Sequence, residues 1–214
     1  MLVGCVFSSL RMNMKAESLL FYCRAGFESD LSIEVQEYAS NLGIYGYPTF
    51  KKNTGFIQFN CQSSDEALGL LTSMKLAKLV FARQILLCGP KLEFDDVTDR
   101  ISPILEHLPE CSIFGDIRVE YPDTTEGREL SKLCRKITVP LRQKLRKIGR
   151  LTTKENSKKP CLHVFFIEGN QAFVAYSIPQ NASPFPLGIL RLKSPNDAPS
   201  RSTLKLDEAI QVFV

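Results

Sequence analysis

Along the first ninety positions the apolar residues fall into short blocks whose period alternates. "LLFYC" (19–23) is an unbroken apolar run of strand length. After the polar turn "RAGFESD", Leu31, Val35, Tyr38, Ala39 and Leu42 recur at helical spacing. "IYGYPTF" and "GFIQFN" read as two strands joined by the turn-like "KKNT". Ser64 or Asp65 is placed to cap a helix over "EALGLLTSM", and "LVFARQILLC" (79–88) reads as a long buried strand. The resulting order, β-α-β-β-α-β, is the ferredoxin-like arrangement. That topology hosts many functions and names none.

"GPKLEFDDVTDR" (89–100) is polar and predicts a domain boundary near residue 90. A helix over Ile101–Leu108 and a strand "IRVEY" follow, then a long helix from about Glu126 to Ile148. At about 100° per residue, Leu130, Leu133, Cys134, Ile137, Leu141, Leu145 and Ile148 share one face. Arg128, Lys132, Arg135, Lys136, Arg142, Arg146, Lys147 and Arg150 occupy the other, and only Lys144 strays onto the apolar stripe. Pro140 lacks an N–H and is expected to kink or split this helix, and Gly149 to stop it. "CLHVFFI" and "AFVAYSI" are two further strands joined through "EGNQ". A Pro-rich connection leads to "SRSTLKLDEAI", a capped helix that by itself needs no function. The pattern as a whole is α+β.

Charge sharpens this picture. Residues 128–159 hold twelve Lys and Arg against two acids, Glu129 and Glu155, a balance of +10, while the rest of the chain stands at −6. Such a field suits a polyanionic partner, with a solvated basic face as the bland alternative. Arg135, Lys136, Arg142, Arg146, Lys147, Lys158 and Lys159 are the candidate phosphate contacts, the last two from the loop "KENSKK".

Other chemistry is thinly represented. The seven cysteines lie at least 18 residues apart and only His107 and His163 accompany them, so no zinc-type ligand pair exists. Scattered thiols suit a reducing cytoplasm. There is no G-x-G-x-x-G, P-loop or G-x-S-x-G, and both histidines read as structural. No apolar run approaches the roughly 20 residues that span a bilayer. The opening "MLVGCVFSSLR" has no leading positive charge and no small-x-small cleavage site, so 1–14 is read as a disordered or non-native start rather than a leader.

Six segments carry a resemblance: "RAGFE", "LVFARQ", "LCRKITVPLRQKLR", "HVFFI", "SPFPLGILRLK" and "DAPSRSTLKLDEA". Together, over about Ser18 to Val214, they resemble the bacterial ribosomal large-subunit RNA methyltransferase M family. The resemblance implies methylation of a cytidine ribose 2′-oxygen in 23S rRNA with S-adenosylmethionine. It also implies a layout of ferredoxin-like piece, THUMP-like RNA-binding domain and Rossmann-like methyltransferase domain. "SRSTLKLDEA" is further similar to the S-R-x-x-x-K-L segment of ribose 2′-O-methyltransferases. That match implies Lys205 as the first lysine of a Lys-Asp-Lys-Glu tetrad and Ser202 as a cofactor contact. The rest of the tetrad and a D-L-G-A-x-P-G-G cofactor loop are not in this sequence.

The expectations are therefore a ferredoxin-like domain over 15–90, a THUMP-like α/β domain over 91–190, and a linker with the first helix of a methyltransferase domain over 191–214. The Rossmann-like domain itself is expected to be absent. The chain alone is expected to bind 23S rRNA or a large-subunit precursor in the cytoplasm without transferring methyl groups or holding the cofactor tightly, and without metal or membrane. Two alternatives stand beside this: a free-standing, non-enzymatic RNA-binding protein with the same two domains, and a module whose basic face meets an acidic protein.

Overall fold

The computed structural model describes residues 16–108 and 113–192 and, beyond them, five helical positions at 204, 205, 207, 209 and 210. The expected non-native start (1–14) and Ser202 lie outside the described residues.

The apolar blocks become the strands of one sheet. β1 (Ser18–Tyr22) is followed by α1 (Glu28–Asn41), β2 (Gly46–Thr49), β3 (Phe56–Cys61), α2 (Ser64–Ser73) and β4 (Gln84–Glu93). α3 (Ile101–Glu106), β5 (Asp116–Glu120), a 3₁₀ turn (Gly127–Leu130), α4 (Ser131–Lys147), β6 (Cys161–Glu168) and β7 (Gln171–Ser177) complete the order. The helix over "EALGLLTSM" is capped by Ser63, one residue before the expected cap, whose Oγ accepts the Glu66 N–H at 3.2 Å.

The strand order is β2-β3-β1-β4-β7-β6-β5. The first four strands are the ferredoxin-like half, antiparallel throughout. β7 then joins the free edge of β4, β6 pairs antiparallel with β7, and β5 lies parallel to β6 through the α4 crossover. The boundary expected near residue 90 falls inside β4. Residues 84–88 pair with β1, and residues 87–93 pair with β7 on the other side, with a register shift in the latter pairing between Cys88 and Lys91.

All the core helices cover one face of this sheet. Their core runs from Leu31 and Val35 through Leu70 and Leu71 to Ile137, Leu141 and Leu145. The other face is concave. Phe56 of β3 meets Phe165 of β6 with ring centroids 5.2 Å apart, although four strand spacings separate them in the order. In a flat sheet those strands would lie about 19 Å apart. Tyr22 of β1 likewise stacks on Phe165 at 4.6 Å. Leu20, Leu86, Cys88, Phe173 and Ala175 complete this second, smaller core inside the curl.

Candidate functional site

α4 sorts its side chains as the wheel predicts. Cys134, Ile137, Leu141 and Leu145 are buried on β5 and its neighbours. Arg135, Lys136, Arg146 and Lys147 are exposed, as are Lys144 and Lys158, while Lys159 is half-buried. Pro140 sits inside one continuous helix rather than between two. It lies on the exposed side, where a carbonyl without an N–H partner faces water, and this is why the helix survives it. Ile148 is 51% exposed, off the expected apolar stripe. The helix ends at Lys147 and Gly149, at φ +71°, turns the chain away before Ile148 can pack.

Not all the candidate cations are free to meet a ligand. Arg142 is held by Asp116 Oδ1 at 2.8 Å and donates to the Ile117 carbonyl at 3.0 Å. Arg146 Nε reaches the Thr152 carbonyl at 3.3 Å, and the Asn156 N–H bonds the Gly115 carbonyl. These contacts gather the end of α4 and the loop carrying Lys158 and Lys159 around the start of β5. Arg135 and Lys136 stand on the same helix about 16 Å back along its axis. Lys205 is exposed on a helical position and Ser202 is not described, so nothing in the structure joins them into a site.

A second constellation, which sequence reading missed, lies at one end of the concave face. The Glu120 carboxylate, 6% exposed, accepts three donors: Tyr22 Oη–H at 3.1 Å, His163 Nδ1–H at 2.9 Å and the Leu187 N–H at 2.7 Å. His163, wholly buried, meets Ser177 Oγ through Nε2 at 3.1 Å. Burial opposes the charged imidazole, but the Cys161 sulfur and the Glu120 carboxylate outweigh it and lift His163 from 6.5 to about 9. Burial would raise Glu120, yet the hydrogen bond and charge of His163 hold it below the ordinary carboxylate value. The pair is thus ionised at neutral pH, and both ring nitrogens donate. The sequence signal was present, since His163 and Cys161 share a face of one strand. What it lacked was the orienting partner, 43 residues earlier in "IRVEY".

The same constellation fastens the Pro-rich segment after β7. Arg118 donates to the carbonyls of Ser183 (3.3 Å), Pro184 (2.7 Å) and Phe185 (2.9 Å). Gln84 bonds both the N–H and the carbonyl of Ser183. Asn181 Nδ2 donates to the Leu71 and Met74 carbonyls, both at 2.6 Å, and its Oδ1 accepts the Leu76 N–H at 2.7 Å. Arg191 reaches Asp123 at 3.0 Å. The segment is a strap tied to both halves of the sheet, ending in the stretch that leads toward Lys205.

Fold and site together define an α+β scaffold: a ferredoxin-like half extended by a second α/β half, with a cationic helix face and a strapped exit. Two family models match it, "RlmM ferredoxin-like domain" over residues 16–86 and "Ribosomal RNA large subunit methyltransferase M, N-terminal" over 99–178. Curated relatives agree. The chain is 51% identical over 199 residues to "Ribosomal RNA large subunit methyltransferase M" of Pseudoalteromonas atlantica and 50% identical over 199 residues to that of Vibrio atlanticus. Each match covers 92% of this chain and 55% of the relative. The chain belongs to the ribosomal RNA large subunit methyltransferase M family, and it spans about half the length of the curated relatives it matches. Among solved structures, TrmN from Thermus thermophilus overlaps at a TM-score of 0.41 and 18% identity, over 74% of this chain and 44% of that one.

No described helix is long and apolar enough to cross a membrane, and the described residues hold no cluster of metal-ligating side chains.

Proposed function

We propose that this chain is the RNA-recognition portion of an S-adenosylmethionine-dependent 23S rRNA (cytidine-2′-O)-ribose methyltransferase that acts during large-subunit maturation. The family supports the reaction class, and the observation that supports RNA recognition is α4. A helix with one face fully buried holds its exposed Arg135, Lys136, Arg146 and Lys147 in fixed places, joined by the loop of Lys158 and Lys159. Lys and Arg neutralise backbone phosphates and release condensed counterions, so affinity falls with salt in proportion to the contacts made. Arg142 serves a different end and secures the helix to β5. THUMP-like is the reading we attach to the half built from β5, α4, β6 and β7, with the ferredoxin-like half over 15–90 beside it.

The described residues do not fit a cofactor cradle. They show no glycine-rich loop between strand and helix to approach S-adenosylmethionine, and Lys205 stands at an exposed helical position. This chain alone is therefore read as binding RNA without transferring a methyl group. Lys205 as first tetrad lysine and Ser202 as cofactor contact are assignments for the complete enzyme.

The test is binding of this 214-residue chain to 23S rRNA fragments across a salt series. A steep fall of affinity with salt is expected. Replacing Arg135, Lys136, Arg146 and Lys147 by Gln should flatten the slope by about 2.8 to 3.6, since each phosphate contact contributes about 0.7 to 0.9. Salt-insensitive or absent binding overturns the reading in favour of an acidic protein partner.

A further inference from the structure

The concave face of the sheet does more than bury a small core. Beyond the Glu120 constellation it opens into a groove of about 970 Å³, at the upper end of the range of about 300–1,000 Å³ typical of ligand pockets. Its floor is aromatic: Phe56 and Phe173, with ring centroids 6.3 Å apart, line it side by side. Phe173 is buried but Phe56 is only half-buried, so part of its ring reaches the groove. The walls carry opposite charge. Lys51 and Lys52 stand exposed on the β2–β3 turn, and Glu126 and Glu129 stand exposed at the 3₁₀ turn before α4; Lys91, paired with Glu93 at 3.2 Å, and Glu168 also line the groove. The lysine wall is firmly set. The Glu28 carboxylate accepts the N–H groups of Gly26, Asn53 and Gly55, which pins that turn to the start of α1.

We infer that this groove receives an unstacked nucleotide of single-stranded RNA, its base on Phe56, its phosphate against Lys51 and Lys52, and the amino edge of its base toward Glu126 and Glu129. A uniformly cationic groove would fit any polyanion, and a purely apolar one any greasy segment. Anion at one end, a flat ring in the middle and hydrogen-bond donors at the other is the layout of a nucleotide with an exocyclic amine. Aromatic side chains hold unpaired bases by stacking, and carboxylates accept from the cytosine amino group. This deepens the RNA-recognition reading and rests on it. The α4 face would hold the RNA backbone at large, whereas the groove would select unpaired, amino-bearing bases.

The experiment compares three RNA probes on this chain: oligocytidylate, oligouridylate and a blunt RNA duplex. Oligocytidylate is expected to bind tighter than oligouridylate and to shift the Phe56 ring signals in NMR. Lys51→Gln with Lys52→Gln should lower the salt slope for oligocytidylate by about 0.7, the share of the one phosphate they hold, and leave duplex binding unchanged. Phe56→Ala should weaken oligocytidylate roughly tenfold or more, the usual worth of one stacked base. Because Phe56→Ala also touches the inner core, the exposed pair Glu126→Ala with Glu129→Ala, which removes the acceptors, is the independent check. It should erase the preference for cytidylate without unfolding the protein. Unchanged slope and preference in these surface variants overturn the groove assignment, even where the α4 substitutions still weaken all three probes. Conversely, loss confined to the groove variants, with α4 substitutions silent, keeps the groove and overturns the α4 reading. Tight binding of an acidic or apolar peptide in place of the oligonucleotide also overturns the inference.

Discussion

Glu120 and His163 form a buried ion pair, and their chemistry sets a pH dependence. His163 is raised in the folded protein, so its stabilisation is complete below its unfolded value of 6.5 and is lost as pH rises toward about 9. That rise corresponds to about 3 kcal/mol. Glu120 is lowered, so its contribution is complete above its unfolded value of 4.5 and is lost as pH falls below that. Urea unfolding should therefore show greatest stability between about pH 5 and 6.5 and a decline from there to pH 9. In Glu120→Gln the high-pH decline should shrink, because the amide no longer favours the imidazolium and only the Cys161 sulfur still does. The substitution should also cost about 3–5 kcal/mol at pH 6, the usual penalty for stranding one member of a buried ion pair. A decline of the same size in the variant would show that another group titrates. His163 was legible as a buried strand residue, but its charge was not. The Glu120, Ser177 and Tyr22 partners come from three other strands, and strand pairing cannot be read from local pattern.

At the scale of elements, the strap and α4 show where local rules gave way to tertiary structure. "SPFPLGILRLK" reads as a loop because it has no hydrophobic period. Residues 179–192 are ordered by partners distant in sequence: Asn181 is 105 residues from Leu76, and Arg118 is 67 residues from Phe185. Asn181→Ala should leave the Leu71 and Met74 carbonyls and the Leu76 N–H unpaired, at about 1–3 kcal/mol for each group that water cannot reach. Denaturation should report that loss, and hydrogen exchange should quicken at Leu76 and along residues 179–188. Gly188 admits no side chain: at φ +68° its Cβ would stand 1.9 Å from the Arg83 carbonyl. Gly188→Ala should therefore detach the strap, seen as fast exchange at the Leu187 amide while the sheet core stays protected. Pro140 tells the opposite story. Propensity predicts a break, yet the buried stripe of Ile137 and Leu141 on either side holds one helix together. Pro140→Ala should raise stability by up to about 3 kcal/mol, since it restores a helical N–H at a site where packing already enforces the helix. Unchanged or lowered stability in that variant would mean that the proline fits a bend the core requires.

Across the whole molecule, the joint between the two halves is the least legible feature of the chain. The four strands and two helices of the first half follow from hydrophobic period, except that the last strand starts at Gln84, five residues into the apolar run 79–88, and extends to Glu93; their order β2-β3-β1-β4 is the ferredoxin-like one. "GPKLE" reads as a linker because Gly and Pro punctuate it. In the fold those two residues lie at the register shift between Cys88 and Lys91, where a strand tolerates a proline, and β4 continues past them to pair with β7. One strand thus belongs to both halves, and Tyr22 of the first half donates to Glu120 of the second. Such a shared sheet should unfold as one unit. Hydrogen exchange under increasing urea should give the slowest amides of β1 and of β6 the same global opening energy. Glu120→Gln should lower both equally, although Glu120 lies in the second half. If residues 15–90 and 91–190 were independent domains, the substitution would lower only the second, and β1 would keep its protection. Equal loss would mean that the α4 face and the groove belong to one rigid body, so that the base selection proposed at Phe56 and the backbone contact proposed at Arg135 are held at a fixed distance.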